Sequence, residues 1–199
     1  MGYLRRKTDV FLQGWKKNKD RYPLIIKGAR QVGKTETIRK FARENYKNVI
    51  EINFITEPVY KVIIEEGFSA DNITKLISRI DPSKHFDAGE TLLFFDEIQD
   101  FPEIVTALKF FKEDGRYDII CSGSLLGVQY HRIASISVGY KTDYQMYSMD
   151  FEEFLWAKGY EEETISDMLC HMLSGTLFSE AEQRIFSNLF LEYCILGGM

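Results

Sequence analysis

Few folds are open to a chain that carries Tyr22-Pro-Leu-Ile-Ile-Lys-Gly-Ala-Arg-Gln-Val-Gly-Lys-Thr-Glu-Thr-Ile-Arg39. Leu24 to Ile26 is a short β-branched apolar run behind a proline and reads as a buried strand. Gly28 to Thr35 fits Gly-x-x-x-x-Gly-Lys-Thr, the spacing of a phosphate-binding loop. Ile38, Phe41 and Ala42 then recur at helical spacing, which predicts a helix to about Tyr46. Strand, glycine loop and helix in that order make the spacing a structural statement.

The residue types suit the chemistry. A polyphosphate needs backbone N–H groups wrapped closely around its oxygens. Gly28 and Gly33 permit the wrap because they lack a Cβ and accept positive φ. Gly28, Ala29, Arg30, Gln31, Val32, Gly33, Lys34, Thr35 and Glu36 form the expected nucleotide-binding segment. The helix that opens after Gly33 aims unpaired N–H groups and the positive end of its dipole at the phosphates. Lys34 is placed to reach the β- and γ-phosphates, and the Thr35 hydroxyl to ligate Mg²⁺.

A second stretch, Thr91-Leu-Leu-Phe-Phe-Asp-Glu-Ile-Gln-Asp100, completes the pattern. Four apolar residues without alternation indicate a strand buried on both faces, as in a parallel sheet. Asp96 at its tip is the expected holder of the Mg²⁺ water shell, and Glu97 the group that orients or deprotonates an attacking water. Tyr117 to Cys121 reads as a further strand ending in Ser122-Gly-Ser124. Ser122 and Ser124 are equal candidates for a polar sensor of the γ-phosphate at that tip.

Around these motifs, helices are expected over residues 3–18, 58–66, 70–80, 161–173 and 179–196, with strands over Val49 to Phe54 and Tyr140 to Met146. Asp100 and Glu103 read as a capping box for a helix carrying Ile104, Leu108 and Phe111, and Asp150 and Glu153 as a second such box. Residues 1–50 hold 14 Lys and Arg against 4 Asp and Glu, and residues 51–199 hold 11 against 26. The basic segment suits nucleotide or nucleic acid, or pairing with the acidic remainder; no DNA-reading motif accompanies it. Three scattered cysteines and three histidines show no disulfide or metal-ligand spacing. No apolar run reaches the roughly 18 residues of a membrane span, and a cytoplasmic protein is the default.

Taken together, Gly28-Ala-Arg-Gln-Val-Gly-Lys-Thr35, Phe94-Phe-Asp-Glu-Ile-Gln99, Cys121-Ser-Gly-Ser-Leu-Leu-Gly127 and Met149-Asp-Phe-Glu-Glu-Phe154 resemble the prokaryotic AAA-type ATPases in which a P-loop core precedes a C-terminal domain of uncharacterised function. Archaeal-ATPase-like and signal-transducing NTPases look like relatives. The resemblance implies a three-layer αβα fold with a mostly parallel sheet ordered 5-1-4-3-2, followed by a short helical segment. It implies ATP with Mg²⁺, and gives Ser122 or Ser124 a place between the P-loop strand and the Asp96 strand. A core over residues 1–150 and the helical start of a truncated C-terminal domain over 151–199 are the expected domains. Tyr140 stands where the family pattern carries a basic residue, so Arg132 and Arg30 are the remaining candidates to neutralise charge on the γ-phosphate. The leading expectation is slow ATP hydrolysis that drives a conformational or assembly switch, with a homo-oligomer or protein partner. The alternative is a nucleotide-gated interaction module, possible on DNA, with little turnover. A small-molecule kinase fits poorly, because only Arg132 lies between Ser124 and Lys141 as a basic lid residue.

Overall fold

A computed structural model of the chain describes residues 3–124 and 139–197. It divides into two compact units, residues 12–146 and residues 1–11 with 147–199.

The larger unit is built on five parallel strands: β1 (Leu24–Lys27), β2 (Asn48–Asn53), β3 (Thr91–Asp96), β4 (Asp118–Gly123) and β5 (Thr142–Gln145). They are ordered β2-β3-β4-β1-β5, the order the resemblance implied. Every residue of β3 is buried, as its unbroken apolar run requires of a strand covered on both faces. Leu93 and Phe95 join Ile50, Ile52, Ile119 and Cys121 in one core cluster with residues of α3 (Ala70–Ile80) and α4 (Ala107–Asp114). Alternation sends Leu92 and Phe94 to the opposite face, and α2 (Lys34–Asn45) lies against β3 and β4 with Ile38, Phe41 and Ala42 buried.

Two helical expectations change in detail. Residues 58–64 form a 3-10 helix, and its buried residues, Tyr60 and Ile63, are three apart, the spacing that keeps one face inward at three residues per turn. The Asp100–Glu103 capping box does not form. Phe101 holds the N-cap position of a 3-10 helix (Pro102–Thr106) that leads into α4, and Asp100 instead pairs with Lys61. Phe101 packs on Phe54 with ring centroids 4.9 Å apart, so an aromatic anchor sets the start of this segment.

The charge asymmetry is largely consumed in ion pairs. Arg21 and Lys16 meet Asp118, Lys27 meets Asp143, Arg39 meets Glu51, and Lys47 meets Asp87 and Glu90.

In the other unit, α5 (Phe151–Ala157) is capped by the expected Asp150–Glu153 box. Glu153, only 4% exposed, also receives the backbone N–H of Lys7 at 2.6 Å and pairs with Arg6 at 3.2 Å. The first residues of the chain thus belong with its last ones. α6 (Glu162–Ser174) and α7 (Glu180–Leu196) pack on α5 through Ile165, Met168, Phe186 and Tyr193. α1 (Lys7–Lys17) contains the boundary between the units, which falls after Phe11.

Candidate functional site

The tips of β1, β3 and β4 come together because the strands are parallel and adjacent. β4 lies between β1 and β3, with Ile26 opposite Ser122 and Phe95 opposite Cys121. The loop that leaves β1 therefore runs over the place where β3 ends in Asp96. Sixty-one residues separate Thr35 from Asp96, yet the Thr35 hydroxyl donates to Asp96 Oδ2 at 3.1 Å.

Asp96 is 3% exposed. Its Oδ1 accepts from the Ser122 hydroxyl and from the Glu97 backbone N–H at 3.0 Å. Its Oδ2 accepts from Thr35 and from the Asn53 amide at 3.2 Å. Every donor is neutral, and among the described residues no Lys or Arg lies within ion-pair distance of this carboxylate. Hard oxygen ligands, one carboxylate and one hydroxyl side by side, are the donor set Mg²⁺ takes together with substrate phosphates. Among the described residues no three His, Cys, Asp or Glu side chains gather as a metal cluster, and an ion held in this way needs none.

The loop is shaped by three backbone positions. Gly33 has φ 93° and caps α2 with no side-chain acceptor on the helix's first N–H groups. Gln31 also takes positive φ, at 66°, a conformation that costs a non-glycine residue about 1 kcal/mol or more. Gly28 differs from expectation: its φ is not positive, and glycine is required there because a Cβ would lie 2.3 Å from the Met146 carbonyl oxygen. Val32 is buried beneath the loop, whereas Ala29 and Arg30 are exposed.

Lys34 is 7% exposed, and its ammonium donates to the carbonyls of Gly28 at 3.0 Å and Ala29 at 2.6 Å. Burial pulls this ammonium below its ordinary pKa, and the charges of Glu97 and Asp96 oppose that effect. Arg30, Gln31 and Glu36 line a cleft of about 500 Å³ together with Gly33, Lys34 and Thr35. Glu97 lines it as well. Glu36 is tied to Arg39 at 2.8 Å.

The structure separates the two serines. Ser122 is fully buried with its hydroxyl on Asp96. Ser124 donates its backbone N–H to Gln99 Oε1 at 3.1 Å. Arg132 lies outside the described residues.

Three residues at the site were not singled out from sequence. Asn53 ends β2 directly opposite Asp96 in register; a polar residue closing an otherwise alternating strand was the available signal. Gln99 bonds the Glu97 carboxylate. Ile55, half exposed, lines the cleft and carries no sequence signal of its own.

A family model described as an AAA domain matches residues 20–155. Among solved structures, Drosophila ORC bound to DNA aligns over 94% of this chain and 56% of that chain, at 12% identity and a TM-score of 0.52. C. elegans PCH-2 aligns over 88% of this chain and 49% of that chain, at 9% identity and a TM-score of 0.45. The chain thus spans about half the length of these solved chains. The likeness to ORC is one of fold. No curated protein matches the sequence.

Proposed function

This chain belongs to the family of AAA domains, and from that premise we propose that it binds ATP with Mg²⁺ in the cleft under residues 28–35 and hydrolyses it slowly to drive a conformational or assembly switch. One observation carries the reading: the Thr35 hydroxyl, which lines the cleft, and the buried Asp96 carboxylate at the tip of β3 are joined at 3.1 Å.

Each residue then has a part. The loop's backbone N–H groups and the uncapped start of α2 receive phosphate oxygens. Lys34 exchanges two carbonyl partners for the β- and γ-phosphates. Thr35 and Asp96 hold Mg²⁺, which when bound supplies positive charge against the phosphates. Ser122 fixes one oxygen of Asp96 and Asn53 the other. Glu97 orients or deprotonates the attacking water. Arg30, exposed on the loop, faces the cleft as a phosphate-adjacent charge. The switch is read by a partner, either a second copy of the chain or another protein.

Phosphate release and ATP affinity, measured on Lys34→Ala and Glu97→Gln, test this. Lys34→Ala is expected to abolish nucleotide binding. Glu97→Gln is expected to bind ATP and lose on the order of 10²-fold or more in turnover. Undiminished hydrolysis in both variants would end the reading. Firm ATP binding by the wild type without phosphate release would make the chain a nucleotide-gated module instead.

A further inference from the structure

Gln99 lies in the 3-10 turn (Ile98–Asp100) that follows β3. Its side-chain amide spans two strand tips. The Nε2 group donates to Glu97 Oε2, and Oε1 accepts the Ser124 N–H at the end of β4 at 3.1 Å. Only one orientation of the amide satisfies both partners, since a carboxylate needs a donor and a backbone N–H needs an acceptor. No other side chain of this length offers one of each. Glu97 itself sits at φ 55°, ψ 46°, a left-handed conformation that a glutamate holds only when its surroundings impose it. Its second carboxylate oxygen has no protein partner among the described residues, and the residue lines the cleft.

We propose that Gln99 is a positioning residue for hydrolysis: it pins one oxygen of Glu97 against the β4 tip so that the other is presented to water. This rests on the hydrolytic role of Glu97 given above. Two physical consequences follow. The pinned carboxylate is oriented before substrate arrives, so its ordering entropy is not charged to the reaction. The amide also ties the β3 tip to the β4 tip, so the candidate base and the Ser122 side of the site move as one piece.

Two substitutions divide the amide's two bonds. Gln99→Leu removes both. Gln99→Glu keeps an acceptor for the Ser124 N–H and sets a like charge against Glu97. Steady-state ATP hydrolysis, ATP affinity and amide hydrogen exchange at Ser124 are measured on the 199-residue chain and both variants. The expected result is a kcat loss on the order of 10- to 100-fold in both, with ATP affinity within about twofold of wild type. The Ser124 amide is expected to be protected in wild type and Gln99→Glu and to exchange faster in Gln99→Leu. Unchanged kcat in both variants overturns the proposal, as does a loss of affinity that matches the loss of rate. A wild-type chain that binds ATP without hydrolysing it overturns the hydrolytic reading and this role with it. An unprotected Ser124 amide in wild type overturns the positioning alone.

Discussion

Asp96 closes β3 and Asp118 opens β4, so a buried carboxylate and a partly exposed one lie at opposite ends of neighbouring parallel strands. Asp118 is surrounded by the protein's own cations. Arg21 grips it with two bonds of 2.7 Å, Lys16 approaches to 3.2 Å, and the Tyr46 hydroxyl donates at 2.6 Å. Burial alone would raise the Asp118 carboxyl, but the bonds from Arg21 and Tyr46 and the charges of Arg21 and Lys16 hold it below its usual value. Asp96 has only hydroxyls, an amide and a backbone N–H. One carboxylate is neutralised inside the fold and ties α1 and α2 to the sheet. The other is met by neutral donors alone. The two acids thus differ in compensation: cations meet Asp118, and under the proposed function the cation for Asp96 comes from the ligand side.

Substitution separates the two acids. Asp118→Ala leaves Arg21 and Lys16 without their carboxylate and is expected to cost about 3–5 kcal/mol in urea unfolding. The pH dependence should follow the same group. Its folded pKa is depressed, so its stabilisation is complete above the unfolded carboxylate value of about 3.9 and is lost as the pH falls through the lower folded value. Wild type should therefore lose more stability on acidification than Asp118→Ala does.

At the other end of the sheet, Gly28→Ala drives a methyl into the Met146 carbonyl. It is expected to cost about 1–3 kcal/mol and to weaken ATP binding, read by unfolding and by titration. Asp96→Asn should shift stability by only about 1 kcal/mol, since its donors are neutral, while the Mg²⁺ dependence of ATP affinity disappears. A stability loss as large as that of Asp118→Ala would erase the distinction. Asp100→Ala serves as the baseline. The Asp100 and Lys61 side chains are 45% and 35% exposed, and its removal should change stability by about 1 kcal/mol or less.

What could be read from the sequence was local or strongly patterned. The loop with its flanks and β3 with its acids each announce themselves in one short stretch of chain, and the resemblance supplied the strand order that brings Thr35 to Asp96. The capping box at Asp150 formed as spelled, because both partners lie within one turn. The one at Asp100 did not, because a distant aromatic contact decided where the helix begins. Asn53 and Gln99 escaped notice for a related reason. Each is an ordinary polar residue at the end of an element, and its role appears only once register sets it beside a particular carboxylate. The Arg21–Asp118 pair spans 97 residues and leaves no trace in any short window.

The unequal backbone of the phosphate loop has a consequence for how it can respond to a guest. Its first residue lies so close to the Met146 carbonyl, just past the end of β5, that not even a methyl group has room there. Gln31 and Gly33, held in left-handed turns, form the opposite limb, and the glycine there is the more pliant. A phosphate chain settling into the cleft therefore meets one wall that stands still and one that can give, and adjustment to its length falls to the limb that leads into α2.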